Sequence, residues 1–127
     1  MNEIEKMFYD ACMSMEMSQE YVVTEQVPIG IYKVDFVIGS CAIEIDGHEW
    51  HKTKEQREYD YKRERYLIRQ KYIPVRFTAS EVFVDPQKCA AEAFEIAEIL
   101  EWKDILLFQK GHDFGKETIK AGSDENV

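Results

Sequence analysis

The chain has 127 residues, 45% of them hydrophobic and 13% aromatic, with a formal net charge of −9. That supports one folded domain with one core and excludes a disordered chain, and the acidity argues against a generic basic nucleic-acid coat protein. The apolar runs are too short and interrupted for a membrane span, and Cys12, Cys41 and Cys89 give neither a disulfide framework nor a zinc site.

Reduced thiols in an intracellular, cytoplasmic setting are the expectation from those cysteines. The opening MNEIEKMFYD shows no basic segment leading into an apolar run, so no signal peptide is expected. Charge is uneven along the chain. From Lys52 to Arg76 nine Lys or Arg stand against four acids, so the remainder carries −14. A basic stretch of this kind suits a localised phosphate-binding face, and equally a solvated helix face.

Asn2 followed by Glu5 has capping-box spacing, and Ile4, Met7, Phe8, Ala11, Cys12 and Met15 recur at helical intervals. A helix is expected from about Glu3 to Met17, with Glu5 on its first turn. Tyr21 to Val27 is rich in β-formers, Pro28-Ile29-Gly30 signals a turn, and Ile31 to Ile38 forms a second strand. Strict alternation would put Ile31, Lys33, Asp35 and Val37 on one face of that strand and the apolar Tyr32, Val34, Phe36 and Ile38 on the other. Cys41 to Asp46 is a third strand, with Glu44 and Asp46 sharing a face opposite Cys41, Ile43 and Ile45. The three strands form an antiparallel meander.

Thr53 and Gln56 have capping-box spacing at the head of a helix from about Lys54 to Lys71. Along it Tyr59, Arg63, Tyr66 and Gln70 make one stripe, and Asp60 and Arg63 stand at pairing distance. Tyr72 to Phe77 is a fourth strand, weakened or marked as an edge by Pro74. A strand-helix-strand order places it parallel to the third. Ala79 to Val84 suits a short helix. Asp85 as cap and Pro86 at the first position open a final helix to about Phe108. The domain is expected to cover 1–110, with a flexible polar tail over 111–127.

Asp35, Glu44 and Asp46 are the residues that carry chemistry. If the second and third strands pair, three carboxylates gather and repel, and such a group calls for a cation, a proton or a basic partner. Surface acids on strand ends are the plain alternative. His51 follows closely, and a histidine near neutral pH can exchange a proton.

The order helix-Glu5, Val34-Asp35-Phe36, Ile43-Glu44-Ile45-Asp46-Gly47, His51, then Asp60 through Leu67 and Val75-Arg76-Phe77 resembles the PD-(D/E)XK nuclease superfamily. The resemblance runs from about Ile4 to Val82 and is strongest to the branch of very-short-patch DNA repair endonucleases and their bacterial and phage relatives. It implies a restriction-endonuclease-like α/β fold and Mg²⁺- or Mn²⁺-dependent cleavage or nicking of DNA. It makes Asp35 and Glu44 metal ligands with the Ile45 carbonyl, sets Glu5 beside metal-bound water and gives His51 a catalytic role.

Asp46 stands where the superfamily has lysine, and there it can bind metal or take the proton of the water. Lys33 and Lys52 are candidates for the displaced positive charge. Lys52, Arg57, Lys62, Arg63, Arg65 and Arg69 are candidates to grip DNA phosphates, although Arg63 also suits a structural pairing with an acid, and Trp50 suits core packing as well as base stacking. Cutting both strands would call for a homodimer. Two rivals remain: a nuclease-fold module that binds a DNA structure or a protein without cutting, and an acidic protein that fills the DNA groove of a basic partner.

Overall fold

The computed structural model describes residues 1–47 and 52–118, with side chains through Lys103. Helix α1 spans Glu3–Met13 and a 3-10 turn covers Glu16–Gln19. Strands β1, Val23–Ile29, β2, Tyr32–Ile38, and β3, Cys41–Asp46, lead to helix α2, Lys54–Arg69. Strand β4, Ile73–Thr78, is followed by α3, Ala79–Val84, and α4, Pro86–Thr118. The sheet order is β1-β2-β3-β4. The first two pairings are antiparallel and β4 runs parallel to β3, which makes it an edge strand that tolerates Pro74. This is the mixed α/β restriction-endonuclease-like architecture expected from the sequence.

Capping decides several of the boundaries. Asn2 and Glu5 form a reciprocal capping box at α1, as do Thr53 and Gln56 at α2. Asp85 Oδ1 accepts from the Lys88 amide at 3.0 Å and opens α4. Helix α1 stops short of the expected Met17 because the Ser14 hydroxyl donates to the Ala11 carbonyl at 2.7 Å and its amide caps the last turn. Helix α4 runs past the expected end near Phe108. Among the described residues no helix is long and apolar enough to cross a membrane.

Apolar packing divides between the two faces of the sheet, where a single core was expected. On one face Phe8, Ala11 and Cys12 of α1, Phe36, Ile38, Cys41 and Ile43 of the sheet, and Ala90, Ala93, Phe94 and Ala97 of α4 are buried together. On the other, Leu67 of α2 packs with Ile29, Val34 and Ala42. Burying each large apolar side chain contributes about 1.5–3 kcal/mol, so helices are held on both sides. The three cysteines are buried and free, and burial pushes the Cys12 thiol up to about 12 and Cys41 to about 11, which leaves them unreactive.

The β1–β2 hairpin departs from strict alternation. Val34 packs beside Leu67, whereas Phe36, two residues on, packs beside Phe8. Tyr32 lies edge-on to Tyr59 and Tyr66 of α2, so it goes with Val34. In β1, Val23 meets the Phe8 core and Val27 the Leu67 core. Both strands therefore exchange faces at one level, where Gln26 adopts φ 53 and Asp35 stands opposite it. The expected continuous face of Tyr32, Val34, Phe36 and Ile38 is split by this inversion. A non-glycine residue in the left-handed region costs about 1 kcal/mol or more, and the Gln26 Nε2 is buried without a hydrogen-bond partner. The strain sits directly across from the chemistry-bearing acid.

Candidate active site

Asp35 occupies the level at which the hairpin inverts. The β2–β3 ladder pairs Phe36 with Ile43 and goes no further toward the site. Beyond that pair the Asp35 side chain takes over, and its Oδ2 accepts from the Ile45 amide at 2.8 Å. Burial raises the Asp35 carboxyl to about 6 against its ordinary 3.8. The Ile45 hydrogen bond opposes that rise, while the charges of Glu44 and Glu5 and a hydrogen bond with Glu5 add to it. Glu5 thus serves two ends: its Oε1 caps α1 by accepting from the Asn2 amide at 3.1 Å, and its carboxylate faces Asp35.

Glu44 is also raised, by burial first, with the Arg63 guanidinium pulling the other way. Arg63 Nη2 lies 2.6 Å from Glu44 Oε2, with the two side chains 12% and 13% exposed. The same nitrogen donates to the Lys33 carbonyl at 3.1 Å, and the guanidinium sits 5.6 Å from the centre of the Tyr32 ring. Of the two pairings open to Arg63 in the sequence, the one with the acid cluster forms. Asp60 pairs instead with Lys52.

Asp46 turns to a different partner. Its Oδ2 lies 3.2 Å from Arg76 Nε, and Arg76 Nη1 donates to Glu64 Oε2 at 2.8 Å. Arg76 is the residue that sequence reasoning passed over. It entered only as part of the basic stretch and of the Val75-Arg76-Phe77 strand, with no role at the site, yet the parallel register seats it directly beside Glu44. The signal for it was the strand-helix-strand crossover, which carries every second residue of β4 to the face of Glu44 and Asp46.

These groups border a cleft of about 630 Å³ lined by Glu44, Asp46, Lys52, Asp60, Arg63 and Arg76 among others. Of the expected phosphate-gripping residues, Lys52 and Arg63 line it. Arg57 donates to the Lys52 carbonyl at 2.8 Å. Lys62, Arg65 and Arg69 are exposed along α2, at a spacing that sets them on one helical face. Lys33 is exposed on β2 and does not line the cleft. His51 and Trp50 lie outside the described residues.

Among the described residues, no three His, Cys, Asp or Glu side chains are arranged as a ready metal cage. Asp35 and Glu44 stand together with Glu5 alongside, and Asp46, whose charge also acts on Glu44, pairs with Arg76. Two half-buried acids whose proximity raises the pKa of one of them are nevertheless a donor set that a hard, oxygen-seeking dication fits. Mg²⁺ is commonly held by one or two carboxylates plus water and a phosphate, and not by an all-protein cage.

The profile of the REase_MTES_1575 family matches residues 8–96, which takes in the second half of α1, the whole sheet, α2, α3 and the first part of α4, and begins after Glu5. Among solved structures, the fold is similar to the Homing Endonuclease I-Bth0305I Catalytic Domain, with a TM-score of 0.56 and 18% identity, over 78% of this chain and 99% of that one. A search of curated proteins gave no match. Family match and sheet topology agree: the chain belongs to the REase_MTES_1575 family of restriction endonuclease-like nucleases.

Proposed function

We propose that the protein is a metal-dependent DNA endonuclease or nickase. The observation that carries this reading is the proximity of Asp35 and Glu44, two acids from adjacent strands whose carboxyls burial raises, with Glu44 lining a cleft that also holds Lys52, Arg63 and Arg76. Asp35 and Glu44, with the Ile45 carbonyl, would hold Mg²⁺ or Mn²⁺. When bound, such an ion supplies Lewis acidity toward a phosphoryl oxygen and lowers the pKa of water.

The chain's own residues do the remainder. The Ile45 amide fixes one oxygen of Asp35, and Glu5 faces the same carboxyl. Glu5 orients water from the α1 side. His51 transfers a proton, accepting it from the attacking water or donating it to the leaving oxygen, as one P–O bond forms and another breaks. Lys62, Arg65 and Arg69, with Lys52 and Arg57 at the head of α2, track the flanking phosphates in a salt-sensitive manner. A homodimer is the form that would cut both strands.

The purified chain should nick supercoiled, branched or mismatched DNA with Mg²⁺ or Mn²⁺, and Asp35→Ala should abolish the nicks. Undiminished cutting by Asp35→Ala overturns the reading. A second reading, a nuclease-fold module that binds without cutting, is favoured by one observation: the three cations lining the cleft each pair with a carboxylate. It predicts DNA binding with neither cleavage nor calorimetric heat on adding Mn²⁺.

A further inference from the structure

The cleft holds three cations in unequal states. Lys52 is joined to Asp60. Arg63 is almost enclosed and committed to Glu44 and to the Lys33 carbonyl. Arg76 is 29% exposed and held at two points of its fork, by Asp46 from β3 and by Glu64 from α2. Its Nε lies 3.2 Å from Asp46 Oδ2, yet it is buried and makes no hydrogen bond, because the contact is close without being aligned. A buried guanidinium N–H without a hydrogen bond costs about 1–3 kcal/mol or more. Here the side chain that carries that orphan lines a cleft, and its strand neighbour is Glu44.

We propose that Arg76 is the cation that receives the reacting phosphodiester, and that Asp46 is its positioning residue and neither a metal ligand nor a proton acceptor. This rests on the endonuclease reading and assigns the charge that reading needs. Attack by water places extra negative charge on the non-bridging phosphoryl oxygens before the leaving oxygen takes its proton. A guanidinium fixed in advance by two carboxylates stabilises that charge without reorganising. Its planar fork matches a phosphate edge in a way that an ammonium does not. The anchoring acids stand on two different elements, so the fork is held rigidly against the β3 end where Glu44 and Asp46 lie.

Single-turnover cleavage in Mn²⁺ tests this, read beside calorimetric Mn²⁺ binding and DNA binding in Ca²⁺. Arg76→Met should slow cleavage by about 10²–10³-fold, as loss of one such transition-state donor does, with Mn²⁺ binding kept. Asp46→Asn should lower the rate roughly tenfold, the size of a 1.4 kcal/mol misplacement, with KM unchanged. In Asp46→Lys/Arg76→Met the cation returns from the neighbouring strand, and at least part of the lost rate should come back, which a structural role does not predict. Should the Met form fail to fold, Arg76→Lys serves, and an intermediate rate is expected. Arg76→Met or Arg76→Lys cutting at the parent rate overturns the inference, as does loss of Mn²⁺ heat in a folded Arg76→Met. Parent-like cutting by Asp46→Asn overturns the role of Asp46. If the parent chain cuts no DNA, the endonuclease reading itself fails, an outcome distinct from the others.

Discussion

Arg63 Nη2 joins Glu44 Oε2 at 2.6 Å and the Lys33 carbonyl at 3.1 Å, so one nitrogen of α2 ties β2, the strand that carries Asp35, to β3. The contact is both architecture and electrostatics. Removing one member of such an enclosed pair strands a charge that has lost its solvent. Arg63→Met should lower stability by about 3–5 kcal/mol, read as a fall in the urea midpoint. In the Glu44→Gln/Arg63→Met double variant the stranded charge is gone, and much of that loss should be recovered. Equal destabilisation of the single and double variants would show that the pair is not coupled.

The raised carboxyl of Asp35 fixes the sign of a pH effect. Its folded pKa of about 6 exceeds the ordinary 3.8, so between those values the folded chain binds more protons than the unfolded one. Stability without added metal therefore falls as pH rises from about 4 to about 6 and stays reduced above that. Asp35→Asn should stabilise the metal-free fold at pH 8 by roughly 1–3 kcal/mol while ending cleavage. Thermal melts across pH 4 to 8 check the slope, and a parent chain that grows more stable over that window contradicts it. Millimolar Mn²⁺ should raise the melting temperature of the parent chain and leave that of Asp35→Asn in place.

Gly30 turns the hairpin with φ +63, and a Cβ there would lie 2.1 Å from the Tyr66 hydroxyl and 2.6 Å from its ring. Gly30→Ala should cost about 1–3 kcal/mol and displace Tyr66 from its edge-on contact with Tyr32. Denaturant unfolding together with the Tyr66 ring signals in NMR reads both effects.

Lys71 ends α2 in the left-handed region at φ 73. Its amide donates to the Ile68 carbonyl at 2.9 Å, and the Tyr72 amide donates to the Leu67 carbonyl at 2.9 Å, the paired bonds of a Schellman motif. Lys71→Gly should therefore stabilise the chain by about 0.5–1 kcal/mol. A lower urea midpoint would mean that the lysine stem packs more usefully than its backbone strains.

Local chemistry was legible and non-local chemistry was not. Asn2 with Glu5, Thr53 with Gln56, and Asp85 with Pro86 declare themselves within a few residues, and each opens a helix where expected. The shared face of Glu44 and Asp46 follows from parity along one strand. The third capping box, Thr78 with Glu81, has the same signature and was overlooked at the end of β4. Arg76 became visible only through the register of β3 against β4, and the choice of Arg63 between Asp60 and Glu44 only through the docking of α2. The inversion at Gln26 and Asp35 needs two strands to distort together, and no period read along one strand contains it.

That inversion seats Asp35 at the level where β2 passes from one apolar layer to the other, one built on Phe8 and the other on Leu67. Both layers therefore press on the strand that carries Asp35, and apolar substitutions far from the acids, such as Phe94→Leu on α4 or Leu67→Val on α2, are expected to shift its carboxyl relative to Glu44 while leaving every charge in place.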